Sequence, residues 1–204
     1  MKVVLLSAGR STRMSPIKDK NFLELLGKPL IEHQLATLHD AGFADFLVVC
    51  GAHNISELEE FGYKSPYNIT CVEQKNLDDG MKGAVLSVRD HIEENEPILI
   101  VSSNDVVEVE AFELVNENSQ VADGVDGFMV AKKVSEYFPG GYVAVDGEGI
   151  LQQIVEKPGP GNEPSSLVNL VIHLWKNPEE LFVFLDKNEN ENDFSAQNGW
   201  FGMT

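Results

Sequence analysis

Basic side chains are scarce in this chain: 15 Lys and Arg stand against 33 Asp and Glu in 204 residues, a formal net charge of −18. A nucleic-acid surface needs a basic stripe, so that class of partner is excluded. The charge reads as solubility in a cytoplasm, and a polyanionic ligand would have to meet a local basic cluster or a metal ion. Cysteine is rarer still. Cys50 and Cys71 each lie in an apolar, strand-like run, which reads as buried free thiols in a reducing compartment rather than a disulfide or metal site. No run approaches the roughly 18 apolar residues of a membrane span. The N-terminus, one lysine before a short apolar stretch, does not read as a signal peptide. The five histidines are scattered without a Cys or His companion at metal spacing, so no zinc site is expected.

What is present is an alternation of strand and helix. Lys2–Leu6, Phe46–Gly51, Asn68–Glu73 and Pro97–Val101 are near-continuous apolar runs, the pattern of buried strands. Between them, helices are expected over 29–42, 54–61 (capped by Asn54) and 81–92, with another near 109–116. This predicts a parallel sheet covered on both faces, in which ligands gather at the carboxyl ends of the strands. Strands are expected again over 127–133, 142–145, 150–155 and 167–175, with Asp146-Gly147-Glu148-Gly149 as a tight hairpin turn. A helix over 179–185 follows, and the Asn/Glu-rich tail beyond Asp186 reads as mobile. One domain accounts for the length: a half from 1 to 120, a β-rich half from 121 to 185, and a tail from 186 to 204.

The polar residues at the strand ends carry the chemistry. The first strand runs into Ser7-Ala8-Gly9-Arg10-Ser11-Thr12-Arg13, then Lys20. Small residues let backbone N–H groups approach phosphate oxygens, and Arg13 and Lys20 add fixed positive charge. The turn fits neither G-x-G-x-x-G nor G-x-x-x-x-G-K-[ST], and a strand followed by a glycine turn is also ordinary α/β structure. Asp105 suits a hard cation such as Mg²⁺, but a helix cap before 106–115 is the commoner role for an aspartate so placed. Gln74 and Gly80 could meet a base edge or simply end a strand and start a helix. Glu156-Lys157-Pro158 could contact a ligand or be an exposed strand end. Asn169, inside an apolar strand, needs a partner, structural or bound.

The string from Leu5 to Met14, followed by Lys20-Asn21-Phe22-Leu23-Glu24-Leu25-Leu26-Gly27-Lys28-Pro29-Leu30-Ile31-Glu32, resembles the signature of the sugar-1-phosphate nucleotidyltransferases. That family opens L-A-A-G-x-G-T-R-M and continues P-K-x-L-L-x-[VL]-x-G-K-P-L-I-E. The resemblance runs to about Trp175. It departs at Ser11, where the second Gly is usual, at Asp19, where Pro precedes the lysine, and in the short connector from Pro16 to Lys20. Met81 and Lys82 also replace the usual Thr-Ala, leaving the base unassigned. No aspartate stands in the C-terminal Gly199–Thr204 block, where a second metal ligand is usual: either the gene product is short or the ligand comes from elsewhere, with Asp193 as a candidate, and one-metal chemistry or reduced activity follows otherwise.

The resemblance implies a three-layer, Rossmann-like α/β fold with a mostly parallel sheet and a small β-rich sugar-binding part. It implies Mg²⁺ as cofactor, and an NTP and a sugar-1-phosphate as substrates, with pyrophosphate released. Arg13 and Lys20 are then the catalytic pair. Leu6 to Thr12, Gln74 and Gly80 hold the nucleotide. Gly141, Glu156, Lys157 and Asn169 hold the sugar phosphate, and Asp105 the metal. No membrane partner is implied, and a homo-oligomer is left open. A molybdenum-cofactor guanylyltransferase (suggested by Asp19-Lys20), a cytidylyltransferase of a small phosphorylated alcohol such as phosphocholine, and a catalytically silent nucleotide-sugar-binding module are the alternatives.

Overall fold

The continuous apolar runs at 2–6, 46–50 and 98–101 do form the strands at the centre of a sheet. In the computed structural model, residues 1–119 and 125–187 are described, except for the side chain of Arg13. The strands are β1 (Lys2–Leu6), β2 (Glu24–Leu25), β3 (Lys28–Pro29), β4 (Asp45–Cys50), β5 (Asn68–Glu73), β6 (Ile98–Ser102), β7 (Gly127–Lys133), β8 (Gly141–Val145), β9 (Leu151–Glu156) and β10 (Leu167–Trp175). The helices are α1 (Leu30–Asp40), α2 (Ile55–Lys64), α3 (Gly80–Leu86), α4 (Val109–Asn118) and α5 (Pro178–Lys187). The chain divides into two compact units. One holds Met1–Phe128 with Ile172–Leu185, the other Met129–Val171 with Asp186 and Lys187.

In the first unit, β5, β4, β1 and β6 lie in that order and pair in parallel, and the C-terminal half of β10 joins β6 antiparallel. Consecutive residues Val3, Val4 and Leu5, and Ile98 to Val101, are all buried. Side chains alternate faces along a strand, so burial without alternation means that both faces of the sheet are covered. Helix α1 ends where Gly42 adopts φ +94°, a conformation cheap only for glycine. The Phe43 N–H then reaches back to the Leu38 carbonyl at 3.1 Å and its ring is buried. Asn116 of α4 donates to the Ala41 carbonyl at this same corner.

Of three expectations, two change and one holds. The helix expected over 81–92 is α3 followed by a separate 3-10 turn at Arg89–His91. Ser87 Oγ donates to the Ala84 carbonyl at 2.7 Å, competing with the helical ladder where the break occurs. The β8–β9 hairpin turns where expected: the Gly149 N–H donates to the Asp146 carbonyl at 3.1 Å, closing the Asp146–Gly149 turn, and Ile150 is the one further residue before β9. There the Asp146 carboxylate accepts the Glu148 and Ile150 N–H groups. Both cysteines are free, but only Cys50 is buried and Cys71 is half-buried. The expected tail lies almost wholly outside the described residues.

In the second unit, β8 pairs antiparallel with both β9 and the start of β10. No helix among the described residues is long and apolar enough to cross a membrane.

Candidate active site

Strands β1, β4 and β6 end level, because Leu6 pairs with Val49 on one side and Ser102 on the other. The chain proceeds from β1 to β4 and β5, then returns to place β6 on the opposite flank of β1. Such a reversal opens a crevice at the carboxyl ends of the strands, where α/β sheets bind ligands. The loop following Leu6 lies there. Ser7 and Ala8 are buried, and Gly9 and Arg10 are exposed.

Ser11 then turns the chain in the left-handed region, at φ 51°, into a 3-10 turn over Thr12–Met14. Glycine would enter that conformation freely, whereas serine pays about 1–2 kcal/mol. In return, Ser11 Oγ accepts the Lys20 N–H at 3.1 Å. The Lys20 side chain lies along the loop: a Cβ built on Gly9 would sit 3.9 Å from Lys20 Cε. Arg10 reaches across to Asp78, with Nη1 2.7 Å from the carboxylate. The Arg13 side chain lies outside the described residues.

Beneath the loop is a closed polar network that motif reading passed over. The Ser7 carbonyl accepts one hydrogen each from Asn21 Nδ2 (3.1 Å) and Asn54 Nδ2 (2.9 Å). The second hydrogens of these amides go to Asp19, Asn21 Nδ2 to Oδ1 at 2.7 Å and Asn54 Nδ2 to Oδ2 at 2.7 Å. Asp19 Oδ1 also accepts the Asn21 backbone N–H at 2.8 Å. The remaining Asn oxygens are taken by the Gly51 N–H on Asn54 Oδ1 (2.9 Å) and by Ser103 on Asn21 Oδ1 (2.5 Å). Ser103 Oγ also lies 2.9 Å from the Leu6 carbonyl, so its one proton is shared between two acceptors. Asn54 therefore does not cap α2 with its side chain as expected. A short, polar Asn beside apolar neighbours was the available signal for this network, and it does not distinguish a cap from a core ligand.

Gln74, at the end of β5, is buried. Its Nε2 donates to the Asn76 and Gly80 carbonyls at 2.9 and 2.8 Å. The donor expected to face a base is thus spent on shaping the 76–80 loop, and the acceptor Oε1 remains. Gly80 has φ +56° and ψ −142°, a backbone conformation open essentially to glycine alone. Asp105 is exposed beyond the end of β6. It caps no helix, since α4 begins only at Val109 with Glu108 at its N-cap.

In the second unit, β8 and β9 align Gly141 with Glu156. A Cβ on Gly141 would lie 3.1 Å from Glu156 Oε2 and 3.8 Å from Asn169 Cβ, so the missing side chain leaves a notch between two polar groups. Lys157 follows at φ 46°, in the left-handed region although it precedes Pro158. Its N–H is held by the Gly140 carbonyl at 3.1 Å, and its ammonium lies 3.3 Å from Glu156. Strain of this kind survives only where the surroundings dictate it, and it is concentrated at functional sites. Four residues named from sequence are thus assembled within one unit.

No group of three or more His, Cys, Asp or Glu that could hold a metal occurs among the described residues. Asp105 makes no ion pair among them. Mg²⁺ needs only one or two carboxylates when phosphate oxygens and water complete its shell, so Asp105 fits a cation carried in by a nucleotide. Asp193 lies outside the described residues.

A profile of the family described as nucleotidyl transferase matches residues 2–198. The bifunctional sugar-1-phosphate nucleotidylyltransferase/acetyltransferase of Sulfurisphaera tokodaii is 30% identical over 190 residues, covering 92% of this chain and 43% of that protein. The bifunctional protein GlmU of Staphylococcus epidermidis is 24% identical over 192 residues, 93% of this chain and 41% of its own length. The UTP–glucose-1-phosphate uridylyltransferase AglF of Haloferax volcanii is 27% identical over 176 residues, 82% of this chain and 69% of AglF. The chain therefore spans less than half the length of the two bifunctional relatives. A crystal structure of UDP-glucose pyrophosphorylase complexed with UDP-glucose superposes with a TM-score of 0.77 at 20% identity, over 97% of this chain and 82% of that one. At that identity the likeness shows the fold. With the profile match across nearly the whole sequence, the chain belongs to the nucleotidyl transferase family.

Proposed function

We propose that this chain makes an NDP-sugar: a phosphate oxygen of a sugar-1-phosphate bonds to the α-phosphorus of an NTP while the Pα–O–Pβ bond breaks and pyrophosphate leaves. In-line phosphoryl displacement asks a protein for positioning and charge neutralisation rather than covalent chemistry. The observation that carries the reading is Lys20 laid along the small-residue loop over Gly9. In this reading its ammonium stabilises charge gathering on the α-phosphoryl oxygens. Backbone N–H groups of the Ala8–Ser11 loop cradle the phosphates, the Ser7 N–H being bound to the Val49 carbonyl, and Arg10 and Arg13 supply further positive charge. Gln74 Oε1 and the 76–80 loop offer an acceptor and a backbone edge to the base.

In the second unit, Glu156 and Asn169 flanking the Gly141 notch receive sugar hydroxyls, and Lys157 holds the phosphate that attacks. Mg²⁺, held by Asp105 and the nucleotide, would neutralise phosphate charge.

Pyrophosphate release with Mg²⁺, measured across the four NTPs and dTTP against a panel of sugar-1-phosphates and phosphocholine, tests the reading. Release with a sugar-1-phosphate is expected, falling by about 10²–10³-fold in Lys20→Ala, the usual scale for losing one electrostatic stabiliser. Release with phosphocholine alone would move the acceptor to an amino alcohol phosphate. Silence together with nucleotide binding would make the chain a binding module.

A further inference from the structure

The lysine assigned above to the α-phosphoryl group is preceded by an acidic residue that this reading leaves without a role. Asp19 is buried, with 8% of its surface exposed. It stands beside a loop that must attract anions, where a carboxylate works against binding unless it serves another purpose. Its two oxygens accept three N–H bonds, from the Asn21 backbone, Asn21 Nδ2 and Asn54 Nδ2. Charge-assisted bonds of this kind are strong and directional, and together they offset the desolvation of a buried carboxylate.

The consequence falls on Lys20. Its own N–H is fixed to Ser11 Oγ, and the next residue's N–H is fixed to Asp19 Oδ1, so the Lys20 backbone is pinned on both sides. The amides that bind Asp19 also hold the Ser7 carbonyl at the root of the loop. One carboxylate therefore ties the lysine's segment to the loop the lysine must serve.

We propose that Asp19 is a positioning residue: through Asn21 and Asn54 it registers Lys20 against the Ser7–Gly9 loop, and it contacts neither substrate itself. This rests on the role proposed for Lys20. Asp19→Asn is the informative change. Its Oδ1 can still accept from Asn21, but its new amide would face Asn54 Nδ2, donor against donor. Asn54 cannot flip to relieve this, because its Oδ1 accepts from Gly51 N–H.

The test has two readouts on the whole chain. The first is steady-state kinetics with the best substrate pair: kcat in Asp19→Asn is expected to fall at least tenfold, with KM for the NTP changed less than threefold. The second needs no activity. Lysines are labelled with pyridoxal 5′-phosphate and borohydride, with and without NTP, and mapped by peptide mass, with exposed Lys28 as internal reference. Lys20 labelling and its protection by NTP are expected to fall at least fivefold in Asp19→Asn while Lys28 is unchanged.

Asn54→Ala removes the Asp19 Oδ2 partner without altering the 19–21 segment, and is expected to show the same two changes, including where Asp19→Asn fails to fold. A folded Asp19→Asn or Asn54→Ala protein with wild-type kcat and wild-type Lys20 labelling overturns the proposal. A wild-type protein that releases no pyrophosphate with any pair overturns the functional reading instead, and the labelling comparison still decides the role of Asp19.

Discussion

Ser11 is the sharpest place to test the energetics of the loop, because two opposing effects meet on one residue. It holds a left-handed backbone at φ 51° without being glycine, and its Oγ accepts the Lys20 N–H at 3.1 Å in a half-buried setting. Ser11→Ala keeps the strain and loses the bond, whose net worth is about 0.5–1.5 kcal/mol. Ser11→Gly loses the same bond, but it regains the left-handed cost of about 1–2 kcal/mol and forfeits about 0.4–1 kcal/mol to the greater freedom of the unfolded chain. The alanine variant is therefore expected about 1 kcal/mol below wild type. The glycine variant should lie within about 0.5 kcal/mol of wild type, on the same balance.

Urea unfolding at 25 °C followed by circular dichroism reads both values, with unchanged slopes confirming that only stability has moved. The ordering matters more than either number. If Ser11→Ala proved as stable as Ser11→Gly or more so, the left-handed strain would not be a real cost here, and the account of why serine replaces glycine would fail.

Three further outcomes are expected. Asp78→Asn frees Arg10 from its exposed ion pair; such pairs are worth about 0.2–1 kcal/mol, so NTP binding measured by calorimetry should tighten by no more than about fivefold. Gly127→Ala places a Cβ 2.2 Å from the Leu174 carbonyl oxygen, a backbone atom that cannot swing away; the cost should reach about 3 kcal/mol and show as a large fall in melting temperature. Cys71 is half-buried and its pKa is lowered, chiefly by a hydrogen bond from Cys50, whereas the Cys50 pKa is raised by the same contact and by burial. Alkylation at pH 8, mapped by mass spectrometry, should therefore modify Cys71 first, and prior modification of Cys50 would refute that assignment.

The sheet was legible because its strands are buried on both faces and so read as unbroken apolar runs, as at Val3–Leu5 and Ile98–Val101. Elements that depend on a single side chain were not. The β2–β3 hairpin turns on Leu26 and Gly27, both at positive φ, and an exposed leucine at φ 51° gives none of the Asn or Asp signal that marks such turns. Helix periodicity carried past Ser87 because apolar spacing says nothing of a hydroxyl bonding back to Ala84. At the site, Gly141, Glu156 and Asn169 were named from scattered positions, and antiparallel register brings them together. Gln74 was named as well, but its donor is turned inward to the loop carbonyls.

The departures from the family pattern also acquire a common physical cause. Asp19 lies at φ −140°, where a proline, fixed near −65°, cannot follow the chain. A connector that enters Lys20 along this path must do without the proline's rigidity, and the three bonds to the Asp19 carboxylate restore it. Ser11 likewise surrenders glycine's freedom and gains a bond to the Lys20 N–H. Both substitutions act on the residues on either side of the same lysine, one through its own N–H and one through its successor's. The short connector, the aspartate and the serine are thus parts of one alternative way to hold Lys20 over the loop.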